Sequence, residues 1–148
     1  MAENDFHTKS GLIDSNILIY AYDASETEKH AVAAEFVSEK VLSGSAIFSV
    51  QVFSEFTSAA TEKLENALSA ETAKQILLDL SKTSKVLSHS EKTIVEALNI
   101  KQTCKVHFWD ALVAATMREH GISIIFTENE KDFKKIDWIE TINPLKKS

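Results

Sequence analysis

Gly11-Leu-Ile-Asp-Ser-Asn-Ile-Leu-Ile-Tyr20 is the stretch that decides the fold. A short apolar run meets a polar corner at Asp14-Ser15-Asn16, and a second apolar run resumes at Ile17. We read a buried strand, a turn at the carboxylate and a helix starting near Ile17. A carboxylate at the end of a buried strand has to be paired, used as a helix cap or bound to a cation, because leaving it alone there is costly.

The same alternation continues outward. Ser25-Glu26-Thr27-Glu28 has the form of a capping box, ahead of a helix carrying Val32, Ala33, Phe36 and Val37. Ser43-Gly44-Ser45 reads as a turn and Ala46 to Val50 as a second buried strand. A helix over about 50–63 places Val52, Phe56, Ala59 and Ala60 on one side, and another opens near Ser69 with Ala73, Ile76, Leu77 and Leu80. Val86-Leu87 suggests a third strand, and Ser90 caps a helix whose apolar positions are Ile94, Val95 and Leu98. Trp109 to His120 is a strong helix stopped by Gly121. Ile122 to Thr127 is a β-branched fourth strand, Glu130 to Lys135 a helical turn, and Trp138 to Ile142 a last strand ended by Pro144. Apolar strands alternating with amphipathic helices predict an α/β fold: a central, mostly parallel sheet of about five strands with helices on both faces. In such sheets the chemistry gathers at the carboxyl ends of strands, beside the switch in strand order. Asp14 and Asn129 both fall at such ends.

The 148 residues fit a single domain, with residues 1–10 read as a flexible polar N-terminus. The lone cysteine, Cys104, excludes an internal disulfide and a cysteine metal knuckle. With no secretory leader and no membrane-length apolar run, the expected setting is cytoplasmic, with no membrane partner. A net charge of −6 argues against binding nucleic acid by bulk positive charge. It leaves room for a metal-dependent nuclease, which needs carboxylates in its site and basic residues only locally.

With 22 acidic residues, position matters more than number. Asp14 ends a strand. Glu55 lies on the apolar stripe of its helix, between Val52 and Ala59. Asp110 stands in the first turn of an almost wholly apolar helix, where it also complements the helix dipole. Converging on one edge of a parallel sheet, the three would repel one another without a cation. An all-oxygen donor set selects Mg²⁺ or Mn²⁺ over zinc, and such an ion suits phosphodiester hydrolysis.

In order, these segments resemble the PIN-domain family, and within it the VapC-like toxins of toxin–antitoxin pairs. The resemblance covers most of the chain. Leu12 to Leu18 is similar to the opening strand with its Asp-Ser/Thr-Asn turn, and Ser49 to Phe56 to the segment bearing the second acid. Asp110-Ala111-Leu112-Val113-Ala114-Ala115 resembles the Asp-Ala-x-x-Ala-Ala helix. Thr127-Glu128-Asn129-Glu130-Lys131-Asp132-Phe133 resembles the closing Thr-x-Asn-x-x-Asp-Phe turn. The resemblance implies a Rossmann-like three-layer sandwich and an Mg²⁺- or Mn²⁺-dependent endoribonuclease, with Asp14, Glu55 and Asp110 as catalytic and metal-binding residues. It also implies an RNA substrate, a homodimer, and a cognate antitoxin whose tail blocks the site.

Many members carry a fourth acid where this chain has Asn129. Asn129 and Asp132 are therefore added as further metal-ligand candidates, and one ion is assigned, with a second left open. Ser15, Asn16 and Thr127 are expected to support the carboxylates by hydrogen bonds. His107, Lys131 and Lys134, with Lys135 nearby, are candidates for RNA contact. His30 reads as a surface residue, Cys104 as packing, and Trp109 and Trp138 as core anchors. The alternative function is a catalytically weak PIN-like module that binds RNA or protein, motivated by Asn129. A phosphatase using Asp14 as nucleophile is disfavoured, because Asn16 stands where its second acid belongs.

Overall fold

The computed structural model describes residues 9–146, so most of the expected N-terminal tail lies outside the described residues. Among the described residues there are five strands and seven helices. The order is β1 (Gly11–Ile13), α1 (Ser15–Tyr22), α2 (Thr27–Leu42), β2 (Ala46–Ser49), α3 (Val50–Glu62), α4 (Ala70–Thr83), β3 (Lys85–Leu87), α5 (Glu91–Cys104), α6 (Phe108–Glu119), β4 (Ile124–Phe126), α7 (Glu130–Phe133) and β5 (Glu140–Ile142). The strands form one sheet in the order β3-β2-β1-β4-β5, and every pairing is parallel. Successive strand residues point to opposite faces. Leu12 and Ile13 are both fully buried, as are Phe48, Ile125 and Phe126 within 1 %, so both faces of the sheet are covered. This is the α/β sandwich that the alternating pattern predicts.

The chain adds β2 and β3 on one side of β1 and then places β4 and β5 on the other. The reversal falls between β1 and β4, whose registers pair Ile13 with Phe126. There the two strands come very close. A Cβ on Gly11 would lie 2.8 Å from Ile124 Cγ2 and from Phe126 Cε2, and 2.9 Å from the Ile124 carbonyl oxygen. Only glycine fits without displacing the neighbouring strand.

Three local readings change. Ser25 does not cap α2. Its hydroxyl donates to Asp23 Oδ1 at 2.6 Å, the helix begins at Thr27, and its N-cap Glu26 makes no side-chain capping bond. On α5, Ile94, Val95 and Leu98 are exposed, and the buried face is Thr93, Ala97 and Ile100. α5 packs on α6, whose residues Ala111 to Met117 are all buried, and the small residues of the two helices allow close approach. Lys40, in the last turn of α2, is 1 % exposed. Its ammonium donates to the Lys9 carbonyl and sits 4.6 Å from the Phe126 ring centroid. Burial pulls its pKa down to about 8.

α5 ends on Lys105 at φ 60. Lys105 is the one non-glycine with positive φ among the described residues. Helices prefer glycine at such a left-handed end, and a Cβ there is strained.

Two stability outcomes follow from these close or strained positions. Gly11→Ala should lower unfolding stability by about 2 kcal/mol through overpacking between β1 and β4. Lys105→Gly should raise it by about 1 kcal/mol through relief of the left-handed strain. Urea unfolding monitored by circular dichroism measures both.

Candidate active site

β1 delivers Asp14 to the carboxyl edge of the sheet, at the switch between β1 and β4. The Asp14 backbone N–H still donates to Phe126 O, at 2.9 Å, so the residue continues the ladder while its side chain turns to cap α1. Oδ1 accepts from the Ser15 N–H at 2.8 Å. Oδ2 accepts from the Thr127 hydroxyl, at the end of β4, at 2.8 Å. The same carboxylate therefore caps α1 and bonds to the end of β4. Burial pushes its pKa up to about 6; the Thr127 and Ser15 bonds oppose this, and the charges of Glu55 and Asp110 add to it.

Asn16 ties the two strand ends together. Its amide lies 3.4 Å from Asp14 Oδ2 and 3.3 Å from Thr127 Oγ1, and its Oδ1 accepts from the Glu128 N–H at 3.2 Å. The Asn129 N–H in turn donates to Thr127 Oγ1 at 2.9 Å. Ser15, Asn16 and Thr127 thus all bond to the Asp14 carboxylate.

Glu55 is half-buried on α3, whose start is fixed by Ser49 accepting from the Val52 N–H at 3.1 Å. Burial raises the Glu55 pKa, bonds from Gln51 and Ser15 lower it, and Asp110 raises it again. Asp110, in the first turn of α6, is raised by burial and by Asp132, and lowered by the Asn129 amide and by His107. The Asn129 amide donates to Asp110 Oδ2 at 3.2 Å. Asp132 also pairs with Lys135 at 3.5 Å.

Asp14, Glu55 and Asp110 therefore act on one another electrostatically, with Asp132 beside Asp110. They do not close into a ready-made cage: among the described residues, no three His, Cys, Asp or Glu side chains are drawn together tightly enough to hold a metal ion. Each of the three carboxylates accepts a hydrogen bond from a neighbouring group: Asp14 from Ser15 and Thr127, Glu55 from Gln51, and Asp110 from Asn129.

The donor set nonetheless fits a hard cation. It is all oxygen, it is partly desolvated, and its members raise one another's pKa. A further mark is Gln51, 5 % exposed and one helical turn before Glu55. Its amide donates to the Trp109 carbonyl at 2.9 Å and lies 3.5 Å from Glu55 Oε2. That fixes its orientation and leaves its buried Oε1 without a partner, an acceptor suited to a water on a bound ion. Gln51 was missed in the sequence; its one signal was a polar residue at the start of an apolar helical face.

Other acids of the closing turn are engaged elsewhere. Glu128 accepts from Tyr20 at 2.8 Å and pairs with Lys29 at 2.7 Å, and Glu130 pairs with Lys134 and Lys146. Lys131 is exposed. Trp109 is 61 % exposed, against the expectation of a core anchor, because α6 turns its alanines inward. Trp138 packs partly against the core under the Arg118 guanidinium. His30 is half-buried and bonded to the Tyr20 carbonyl.

A sequence model of the PIN domain matches residues 11–139. The chain belongs to the PIN-domain family. No curated protein sequence matches it. Among solved structures, the PIN fold here is similar to a toxin–antitoxin complex from Klebsiella pneumoniae, with TM-score 0.65 and 21% identity, covering 91% of this chain and 98% of that one. It is similar to DNA-bound VapBC from Salmonella typhimurium, with TM-score 0.65 and 16% identity over 92% and 98% of the two chains. A VapBC complex from Rickettsia felis bound to a promoter DNA fragment gives TM-score 0.64 and 17% identity over 89% and 96%. At these identities the likeness is one of fold.

The buried acid has a measurable consequence in metal-free protein. The folded state holds the Asp14 proton more tightly than the unfolded chain, so stability should fall as pH rises from about 4 to about 6. The loss amounts to as much as about 3 kcal/mol. Asp14→Asn should flatten this fall and melt higher than the parent protein at neutral pH. Added Mn²⁺ should raise the melting point of the parent protein and leave the variant unmoved. Calorimetric scans across pH, with and without Mn²⁺, check both.

Proposed function

We propose that this PIN-domain protein is a metal-dependent endoribonuclease of the cytoplasm and the toxin half of a toxin–antitoxin pair. The observation that carries the reading is the convergence of Asp14, Glu55 and Asp110, on three separate elements, at the strand-order switch of a parallel sheet. Such a grouping of desolvated like charges costs stability, and a cation at the site offsets it.

Asp14, Glu55 and Asp110 would hold Mg²⁺ or Mn²⁺, which would supply Lewis acidity toward the scissile phosphate and an activated water. The chain's own residues prepare the place. Thr127 and Ser15 fix Asp14 through both oxygens, so its carboxylate cannot swing out of the site. Gln51 and Ser15 orient Glu55, and the buried Gln51 Oε1 would accept from a water on the bound ion. Asn129 holds one oxygen of Asp110 and leaves the other free to coordinate. Asp132 adds a fourth negative charge where Asn129 adds none, so one ion is assigned and a second rests on Asp132. An antitoxin partner is supported by the family and by the toxin–antitoxin complexes that share the fold.

A non-catalytic binding module is the second reading, and the neutral Asn129 bonded to Asp110 favours it. Incubation of purified protein with a mixed RNA pool separates the two. Internal cleavage is expected with Mg²⁺ or Mn²⁺, lost on chelation, and reduced at least about a hundredfold in Asp110→Asn. Retained cleavage by folded Asp110→Asn would remove Asp110 from the site. No cleavage under either metal would favour the binding module.

A further inference from the structure

Beside the carboxylates lies an open cleft of about 600 Å³ whose lining includes Lys101, Gln102, Lys105, His107, Asp132 and Lys135. That is the size of an ordinary ligand site. Its character differs from the rest of this acidic chain. Three lysines line it, and its one carboxylate, Asp132, already pairs with Lys135. Two of its residues belong to the surroundings of Asp110 as well, since both His107 and Asp132 act on the charge of that group. The cleft therefore opens onto the edge of the carboxylate site. Lys131 and Lys134, the basic residues singled out in the sequence, are not among its lining.

The backbone supplies an independent observation. Lys105 holds φ 60 and ψ 48 at the end of α5, where glycine would fit without strain. Its carbonyl is 3.5 Å from the Lys135 ammonium, so the strained turn also draws a second lysine toward the cleft. A side chain kept at a strained position points to a use for it. Here that side chain is an exposed cation facing open space next to an acidic site.

We infer that this cleft is the track for the single-stranded RNA backbone flanking the scissile bond, with Lys101, Lys105 and Lys135 as the phosphate contacts. The inference rests on the nuclease reading of the carboxylate site. Lysine meets phosphate as a point charge, so the track holds the strand without reading its sequence. It also answers an electrostatic difficulty, because the anionic strand must approach four carboxyl groups.

The test is fluorescence anisotropy of a short, labelled, mixed-sequence single-stranded RNA, with chelator present so that nothing is cut. The double variant Lys101→Ala/Lys105→Gly is compared with Lys74→Ala/Lys82→Ala, which removes the same charge from α4. The cleft variant should bind roughly tenfold more weakly, and its salt dependence should be shallower by about 1.4 units for two lost contacts. The α4 variant should bind as the parent does. Should the cleft variant fail to melt cooperatively, Lys101→Gln/Lys135→Gln replaces it.

Equal weakening by both doubles would overturn the inference, as bulk charge would then explain binding. Unchanged binding by the cleft variant would overturn it too, while metal-dependent cleavage by the parent protein would leave the nuclease reading intact. No binding by the parent would sink both. Poly-glutamate that displaces the RNA as effectively as unlabelled RNA of equal charge would make the cleft an acidic-peptide surface instead.

Discussion

The hydrogen bond from Thr127 to Asp14 joins the ends of β1 and β4, and the site is arranged around it. An aspartate at the end of a buried strand loses its hydration, and only specific donors can replace the water. The Ser15 N–H and the Thr127 hydroxyl do so from opposite sides of the strand-order switch. Asn16 and the Asn129 N–H then bond to the same hydroxyl or carboxylate. The loop after β4 is thereby placed, and with it the Asn129 amide that holds Asp110. A single carboxylate thus fixes the relation between two loops that are far apart in sequence.

Much of this was legible in the chain. The Leu12-Ile13-Asp14 run declared a buried strand ending on an acid, and the alternation of short apolar runs with helical patterns declared the parallel sheet. Leu112 to Ala115 declared a helix buried nearly all round, which made Asp110 conspicuous. These readings worked because burial on both faces leaves a continuous apolar signal. Ser25 failed as a cap because Asp23, two residues earlier, takes its hydroxyl. α5 failed because it carries apolar residues on both faces, and contact with the alanines of α6 selects the side with Ala97. Neither competition can be seen in a periodicity.

The acids of the candidate site were conspicuous in the sequence, and its neutral neighbours were not. Carboxylates in apolar surroundings advertise themselves. Gln51 matters through a fixed amide orientation and a buried orphan oxygen, which only the packing of α3 against Trp109 reveals. Lys101 and Lys105 sit among ordinary surface lysines until the turn between α5 and α6 brings them beside Lys135. Left-handed backbone at a lysine has no signature in the sequence, where glycine or asparagine would have been the clue.

Among the described residues β1 is the first strand, yet one of its two neighbours, β4, is made much later. On a ribosome, Asp14 emerges well before Thr127. Until then the carboxylate has no partner across the switch, Gly11 has no strand to pack against, and the loop carrying Asn129 does not exist. Pairing distant segments is also the slow part of folding. The candidate site is therefore incomplete until β4 has been made. A chain interrupted before β4 lacks Thr127, Asn129 and the strand that packs on Gly11.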